Sequence, residues 1–135
     1  QLRMSLILID TDIASFVLKG SEFAKPYTPV LQGYDLALSF MTIAELFQWA
    51  FQNQWGNQRV TQLEKYLQNY VIIPVDQPLC RFWAQVRSER RKMGRVISQQ
   101  DARIAATALR HQIPLVTHNV KDFQDIPNLD LATPQ

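Results

Sequence analysis

Four apolar residues in a row, Leu6 to Ile9, lead directly into Asp10 near the start of the chain. A strand with one face in solvent alternates apolar and polar residues, whereas a strand covered on both faces is apolar throughout. The run therefore predicts a buried strand of a parallel sheet over Ser5–Ile9. Burying an ionised carboxylate is costly without donors or a cation, so Asp10 needs partners at the end of this strand.

Further along the chain, strand-like runs alternate with segments of helical periodicity. The other predicted strands are Asp35–Phe40, Val71–Val75, Leu115–Thr117 and Leu129–Leu131. The predicted helices are Thr11–Lys19, Pro26–Gln32, Thr42–Phe51, Arg59–Asn69, Pro78–Met93 and Ser98–His111. This alternation predicts an α/β fold with a mostly parallel central sheet of four to five strands flanked by helices.

The length of 135 residues suits a single domain over residues 1–135. Gln1-Leu2-Arg3 precede Met4, and we interpret them as a cloning remnant. A lone cysteine, Cys80, allows no internal disulfide, and no Cys/His cluster exists for zinc, so we expect a cytoplasmic protein. No apolar run approaches the roughly 20 residues of a membrane helix and no signal peptide is visible, so we expect no membrane segment.

Acidic residues stand close to the ends of the apolar runs. They are Asp10, Glu45, Asp101 and Asp122. In open parallel sheets, sites form at the carboxyl ends of strands, where the strand order reverses. These acids are therefore expected to converge in space although they are far apart in sequence.

Converging carboxylates repel one another, and protons or a divalent cation must relieve that repulsion. Mg²⁺ and Mn²⁺ favour oxygen ligands, and such an ion can activate water for attack on a phosphodiester. The sequence lacks the residues that other kinds of catalytic or nucleotide-binding site require. Only His111 and His118 are available as histidine bases, which leaves a serine or cysteine triad unsupported, and four glycines build neither a Walker loop nor a dinucleotide fingerprint.

Helix capping explains the same acids without any catalysis. The segments Thr42–Glu45 and Ser98–Asp101 resemble capping boxes, and Asn119–Asp122 is a looser version. An acid in the first helical turn also interacts favourably with the helix dipole. Capping explains Asp10 least well, because this residue ends a buried strand. The two interpretations are compatible, since a capping carboxylate keeps a second oxygen for a metal.

Positive charge is concentrated in the segment Arg81–Arg95, and residues 81–135 carry nine Lys/Arg against five Asp/Glu. A basic helix of this kind suits the phosphate backbone of RNA. A solvated helix face or a contact surface for an acidic protein explains it equally well. The residues predicted to bind RNA are Arg87, Arg90, Arg91, Lys92 and Arg95.

Bulky aromatic residues are too frequent in one region to share a single helical face. They are Phe47, Trp49, Phe51 and Trp55. Core packing accounts for some of them. Because Trp and Phe concentrate in protein interfaces, the excess predicts a dimer or partner surface.

Taken together, four motifs carry a resemblance that extends from residue 6 to about residue 131. They are Leu8-Ile9-Asp10-Thr11-Asp12, Ser39-x-x-Thr42-x-x-Glu45-Leu46, Gly94-Arg95-x-Ile97-x-x-x-Asp101-x-x-Ile104-Ala105-Ala106 and Leu115-Val116-Thr117-x-Asn119-x-x-Asp122-Phe123. In order and spacing they resemble a PIN domain, in particular the VapC-type toxin ribonucleases of bacterial toxin–antitoxin pairs. The resemblance implies a three-layer sandwich and a Mg²⁺-dependent endoribonuclease, with Mn²⁺ as a plausible substitute.

The resemblance also implies a role for each matching residue. The catalytic acids would be Asp10, Glu45, Asp101 and Asp122, and the metal ligands Asp10, Asp101 and Asp122. Polar support would come from Thr11, Asp12, Ser39, Thr42, Thr117 and Asn119. Asp12 departs from the family pattern, which commonly has Asn there, and it raises the local negative charge. The implied partners are an RNA substrate, a small antitoxin and a second copy of the chain.

Two other functions remain open from the sequence. Asp10-Thr11-Asp12 after an apolar strand also resembles the first motif of haloacid dehalogenase-like phosphatases, with Asp10 as nucleophile and Asp12 as acid. The Gly-Asp pair expected later in that family is missing from Leu115–Phe123. A non-catalytic scaffold that binds RNA or protein is the other alternative, and the presence of all four acids argues against it.

Overall fold

A computed structural model describes residues 5–134, so the interpretation of Gln1-Leu2-Arg3 lies outside the described residues. The centre of the molecule is a four-stranded parallel sheet with the order β3-β2-β1-β4. Its strands are β1 Leu6–Ile9, β2 Asp35–Ser39, β3 Val71–Ile73 and β4 Leu115–Val116. The predicted α/β class and parallel sheet are confirmed.

The predicted fifth strand, Leu129–Leu131, is reduced to an isolated bridge. Leu131 pairs in parallel with Leu115 on the outer side of β4. Two backbone hydrogen bonds hold it there, from Leu115 N to the Asp130 carbonyl and from Ala132 N to the Leu115 carbonyl. The segment therefore covers the edge of the sheet without extending it as a regular strand.

Helices cover both faces of this sheet. They are α1 Thr11–Leu18, α2 Thr28–Leu31, α3 Phe40–Gln52, α4 Asn57–Leu67, α5 Gln77–Lys92 and α6 Gln99–His111. The helix predicted over Pro26–Gln32 is instead a 3₁₀ helix, Glu22–Tyr27, followed by the short α2. Pro26 and Pro29 account for the difference, because proline has no amide hydrogen to donate to a continuous helix.

Alternate residues of the strands divide the core into two halves. Leu8 and Leu115 face α5 and α6, whereas Ile7 and Val116 face α1, α3 and α4. This explains the uninterrupted apolarity of β1, whose Ile7, Leu8 and Ile9 are completely buried. The strand order reverses at β1, which has β2 on one side and β4 on the other, so the carboxyl ends of β1 and β4 are neighbours.

None of the helices within residues 5–134 is long and apolar enough to cross a membrane.

Phe123 anchors the C-terminal part of the chain in the core. It directly follows the 3₁₀ helix Val120–Asp122, and only 1% of its surface is exposed. We expect Phe123→Ala to lower the free energy of unfolding by about 3–5 kcal/mol, because it leaves a cavity that the core cannot fill. Phe51→Ala is the matched control, since Phe51 is 64% exposed. Urea unfolding of both variants checks this, and a loss below about 1 kcal/mol at Phe123 contradicts it.

Candidate active site

Asp10 ends β1 and at the same time caps α1, so the expectation that capping explains it least was wrong. Its Oδ1 accepts the Ile13 amide hydrogen at 2.9 Å. Its Oδ2 accepts the hydroxyl hydrogen of Thr117, which follows β4. The Thr117 hydroxyl oxygen accepts the Asn119 amide at 3.0 Å, so its own hydrogen is directed toward Asp10. Both oxygens of the buried carboxylate are therefore held in place.

Burial dominates the electrostatics of Asp10. It raises the pKa of this carboxyl from 3.8 to about 6, against the opposing effect of the hydrogen bonds from Thr117 and Ile13. The neighbouring negative charge of Asp12 raises the pKa further. The ionised form of Asp10 is consequently disfavoured, and a nearby positive charge would stabilise it.

Glu45 lies one turn inside α3 and is tied to α1. The hydroxyl of Thr11 donates to Glu45 Oε1 at 2.8 Å. Thr42 Oγ1 lies 3.0 Å from Thr11 Oγ1. Because Thr11 has a single hydroxyl hydrogen, Thr42 must be the donor of that second bond. Burial is the main reason that the pKa of Glu45 is raised, and the charges of Asp101 and Asp12 add to it.

The predicted cap of α3 was wrong. The helix begins at Phe40, two residues before the predicted start, and Ser39 caps it by accepting the Thr42 amide at 3.2 Å. Glu45 therefore has no capping role and is available for chemistry. The predicted cap of α6 is confirmed, since Ser98 Oγ accepts the Asp101 amide at 3.0 Å.

The carboxylates meet in a cleft of about 300 Å³ at the carboxyl ends of β1 and β2. Four acids line it: Asp10, Asp12, Glu45 and Asp101. Among the described residues that line this acidic cleft, none carries a positive charge; the others are Thr11, Ser98, Gln100, Ile104 and Asn119. Asn119 Nδ2 donates to Asp12 Oδ2 at 2.7 Å, which orients this additional carboxylate.

Asp122 does not line the acidic cleft but an adjoining recess of about 400 Å³. Asp101 lines both, and its pKa is raised by burial first and then by the charge of Asp122. Of the described residues that line these two cavities, the basic ones all line the recess beside Asp122: Arg90, Arg95 and Lys121. The sequence analysis did not single out Lys121, although its position next to a predicted catalytic acid was a usable signal.

An oxygen-only donor set of this kind fits Mg²⁺ or Mn²⁺ in chemical type. Within residues 5–134, no group of three or more acidic, histidine or cysteine side chains is arranged so that it could hold a metal ion. Mg²⁺ differs from an ion enclosed by protein ligands, because it keeps several waters and needs only one or two carboxylates in direct contact.

The predicted RNA-binding residues fall into separate environments. Arg91 and Lys92 are exposed at the end of α5. Arg95 pairs with Asp125, and the Arg87 guanidinium lies 5.5 Å from the ring centre of Trp83.

Arg90 differs most from the expectation of an RNA-binding side chain. It is 5% exposed, and its guanidinium donates to the backbone carbonyl of Asp122 at 3.1 Å. Its helical spacing from the buried Leu79 and Val86 puts it on the apolar stripe of α5. This spacing is visible in the sequence and was a usable signal of burial. Arg90 therefore supports the loop that carries Asp122.

Trp49 and Trp55 form a second recess, away from the acids, whereas Phe51 stacks on Phe47. Trp49 and Trp55 pack edge to face at 5.1 Å, and the Lys19 ammonium and Arg59 guanidinium lie 4.2 and 4.0 Å from their respective ring centres. Leu18, Gln62 and Leu63 complete a recess of about 460 Å³.

Comparison with known proteins agrees with this geometry. The chain is 30% identical over 126 residues to a protein named Ribonuclease VapC1 from Haemophilus influenzae (strain R2866), which covers 92% of this chain and 94% of the relative. A solved structure of VapBC-1 from nontypeable Haemophilus influenzae superposes with a TM-score of 0.83 at 30% identity, covering 95% of this chain and 97% of the other. A VapBC2 structure from Rickettsia felis, bound to a DNA fragment from its promoter, gives a TM-score of 0.81 at 26% identity. The superposition covers 93% of this chain and 96% of the other.

A family model described as PIN domain matches residues 7–129, which includes every acid of the acidic cleft and Asp122. This match leaves the phosphatase alternative without support. The chain belongs to the PIN domain family.

Proposed function

We propose that this protein is a divalent-metal-dependent endoribonuclease and the toxin of a bacterial toxin–antitoxin pair. The observation that carries the proposal is the acidic cleft itself. Four carboxylates from three segments line it with no lining cation, and burial together with neighbouring negative charge raises the pKa of Asp10, Glu45 and Asp101. A divalent ion is the simplest means of offsetting that charge, and the similarity to ribonucleases supports RNA as the substrate.

The metal would be held by Asp10 and Asp101, with Asp122 contributing from the adjoining recess. Mg²⁺ is the proposed ion and Mn²⁺ a substitute. When bound, such an ion lowers the pKa of water and offsets the negative charge that develops on the phosphate. Asp10 is the best-oriented ligand, because Ile13 and Thr117 fix both of its oxygens while each oxygen retains a lone pair.

Glu45 would accept the proton of the attacking water. Thr11 occupies Oε1, which leaves Oε2 to act as the base. The raised pKa of Glu45, caused chiefly by burial, brings it closer to neutral pH, where a general base is most effective. The water oxygen then bonds to phosphorus, and the bond from phosphorus to the leaving ribose oxygen breaks.

The polar residues predicted around the acids would support this arrangement. Thr117 and Thr11 act directly on catalytic carboxylates, and Thr42 acts through Thr11. Asn119 orients Asp12, and Ser39 fixes the start of α3.

The RNA backbone would reach the acids along the basic end of α5. Arg91 and Lys92 are exposed there, and Arg95 and Lys121 line the recess beside Asp122. Phosphate contacts of this kind supply affinity without sequence preference.

A small antitoxin and a second copy of the chain are the proposed protein partners. A solved structure similar to this chain is a toxin–antitoxin complex from Klebsiella pneumoniae, which supports an antitoxin here. The recess around Trp49 and Trp55 provides the aromatic surface that an interface requires. We place the activity in the cytoplasm.

Loss of one metal ligand should abolish activity. Asp10→Asn keeps the side-chain volume but removes the charge that the metal needs, so we expect RNA cleavage to fall by more than about 100-fold with the fold intact. EDTA should have the same effect on the unmodified protein, and Mg²⁺ or Mn²⁺ should reverse it. Gel assays of a labelled RNA measure all three.

The control for that experiment is Asp130→Asn, an exposed carboxyl outside the acidic cleft, which should cleave normally. Cleavage by Asp10→Asn at the unmodified rate would contradict the site. RNA binding without cleavage at any Mn²⁺ concentration would favour the non-catalytic scaffold.

The contribution of Asp10 to stability without metal should fall as pH rises. The pKa of Asp10 is 3.8 in the unfolded chain and about 6 in the fold, so between these values the native state binds the proton more tightly than the unfolded state. This contribution is complete below about pH 4 and lost above about pH 6. Relative to the unmodified protein, Asp10→Asn should therefore gain up to about 3 kcal/mol across this window. Urea unfolding in metal-free buffer measures the gain, and a pH-independent difference contradicts it.

Neutralising the exposed end of α5 should weaken RNA binding and its salt dependence. For the double variant Arg91→Gln/Lys92→Gln we expect the slope of log affinity against log salt to shrink by about 1.4, because two phosphate contacts to a single strand are lost. Filter binding in an Asp10→Asn background avoids cleavage. Lys65→Gln, on α4, should leave the slope unchanged, and an unchanged slope in the double variant would assign this surface another role.

A further inference from the structure

Four aromatic rings form a continuous patch beside the acidic cleft, and we call them the aromatic patch: Phe16, Phe23, Tyr27 and His118. The ring centre of Phe16 lies 5.5 Å from that of Phe23 and 5.2 Å from that of His118. The Tyr27 hydroxyl lies 2.8 Å from His118 Nδ1, and this contact fixes the imidazole. The patch therefore has a defined shape made by three separate segments of the chain.

The backbone connects the aromatic patch to the acids. His118 lies between Thr117 and Asn119, which bind the carboxylates of Asp10 and Asp12. Phe16 is one helical turn after Asp12 on α1, so both side chains lie on the same helix face. A molecule bound across the acidic cleft would meet these rings.

The outer rings are open to solvent and yet held in position. Phe23 is 67% exposed, and Ser21 Oγ accepts its amide at 3.2 Å, which fixes the start of the 3₁₀ helix that carries it. His118 is also exposed, whereas Tyr27 is only 7% exposed and supports it from below. Exposed rings that are already ordered lose little conformational entropy when a planar group stacks on them.

The charge distribution indicates which part of a substrate suits the aromatic patch. The patch adjoins Asp10 and Asp12, whereas Arg95 and Lys121 lie beyond Asp101 in the recess of Asp122. Phosphates suit the basic recess, and a neutral planar group suits the rings next to the acids. An acidic peptide would be repelled at the same place.

We propose that the aromatic patch is a subsite in which one unpaired nucleobase of the RNA stacks on Phe23 and His118 next to the cleaved bond. The proposal rests on the proposed ribonuclease function and adds to it the residues that position one base. Stacking requires that this base be out of its own duplex.

Phe23→Ala tests the subsite, with Phe51→Ala as a closely matched control. Both phenylalanines are about two-thirds exposed, at 67% and 64%, and each packs against one other phenylalanine ring. Phe51 lies on α3 six residues beyond Glu45, about 9 Å farther along the helix. The probe is a short single-stranded oligoribonucleotide with one 2-aminopurine, whose fluorescence is quenched when the base stacks. Binding is measured in the Asp10→Asn background.

We expect Phe23→Ala to weaken binding by about 5- to 100-fold and to abolish the quenching at one probe position. Phe51→Ala should bind within about twofold of its parent, and annealing the probe to its complement should weaken binding to the parent. Equal binding and quenching in both variants would overturn the proposal. Unchanged RNA binding by Phe23→Ala, together with loss of co-purification with the antitoxin co-expressed from its own operon, would also overturn it and assign the rings to a protein interface.

The two proposals fail in different ways. If the unmodified protein cleaves RNA with Mg²⁺ and Phe23→Ala cleaves and binds equally well, the subsite is wrong and the ribonuclease stands. If the probe binds with Phe23-dependent quenching but no RNA is cleaved with Mg²⁺ or Mn²⁺, the subsite stands as a binding site and the ribonuclease function is wrong.

Discussion

The carboxylate of Asp10 accepts one hydrogen bond from the Ile13 amide and one from the Thr117 hydroxyl while almost completely removed from water. These two bonds connect β1, α1 and the end of β4 at a single point. Without them, burial of this charge would carry a desolvation cost with no compensating donors. The same burial raises the pKa of Asp10 even with these bonds in place, and the neighbouring charge of Asp12 raises it further.

The acids are held to different degrees. Asp10 and Glu45 have oxygens fixed by hydroxyl donors, whereas Asp122 is exposed and is held through its backbone: its amide donates to the Asn119 carbonyl, and its carbonyl accepts from the buried Arg90. The site thus has one side where the carboxylates of Asp10 and Glu45 are held by hydrogen bonds. On its other side the exposed carboxylate of Asp122 is free to adjust. An ion that retains part of its water shell can bridge such a site without requiring all ligands at once.

The sequence predicted the sheet and the convergence of Asp10, Glu45 and Asp101, but not the separate recess of Asp122. A doubly buried strand leaves a strong pattern, Leu6–Ile9, and parallel strands end at the same edge. The prediction of the start of α3 failed because the sequence offers two possible N-cap residues three positions apart. Ser39-x-x-Thr42 and Thr42-x-x-Glu45 are both capping sequences, and only the burial of Ser39 at the end of β2 selects the first. Arg90 was wrongly predicted to bind RNA because the prediction used its charge and not its position on the apolar stripe of α5.

The two edges of the sheet affect the tendency of the protein to aggregate at high concentration. An open strand edge invites another chain to add to it, which is how amyloid-like assembly begins. Pro74 directly follows β3 and has no amide to donate, so the exposed edge at Val71 and Ile72 offers a template of only three residues. At the opposite edge, Leu131 already occupies the hydrogen-bonding groups of Leu115. Intermolecular strand addition is thereby discouraged on both sides.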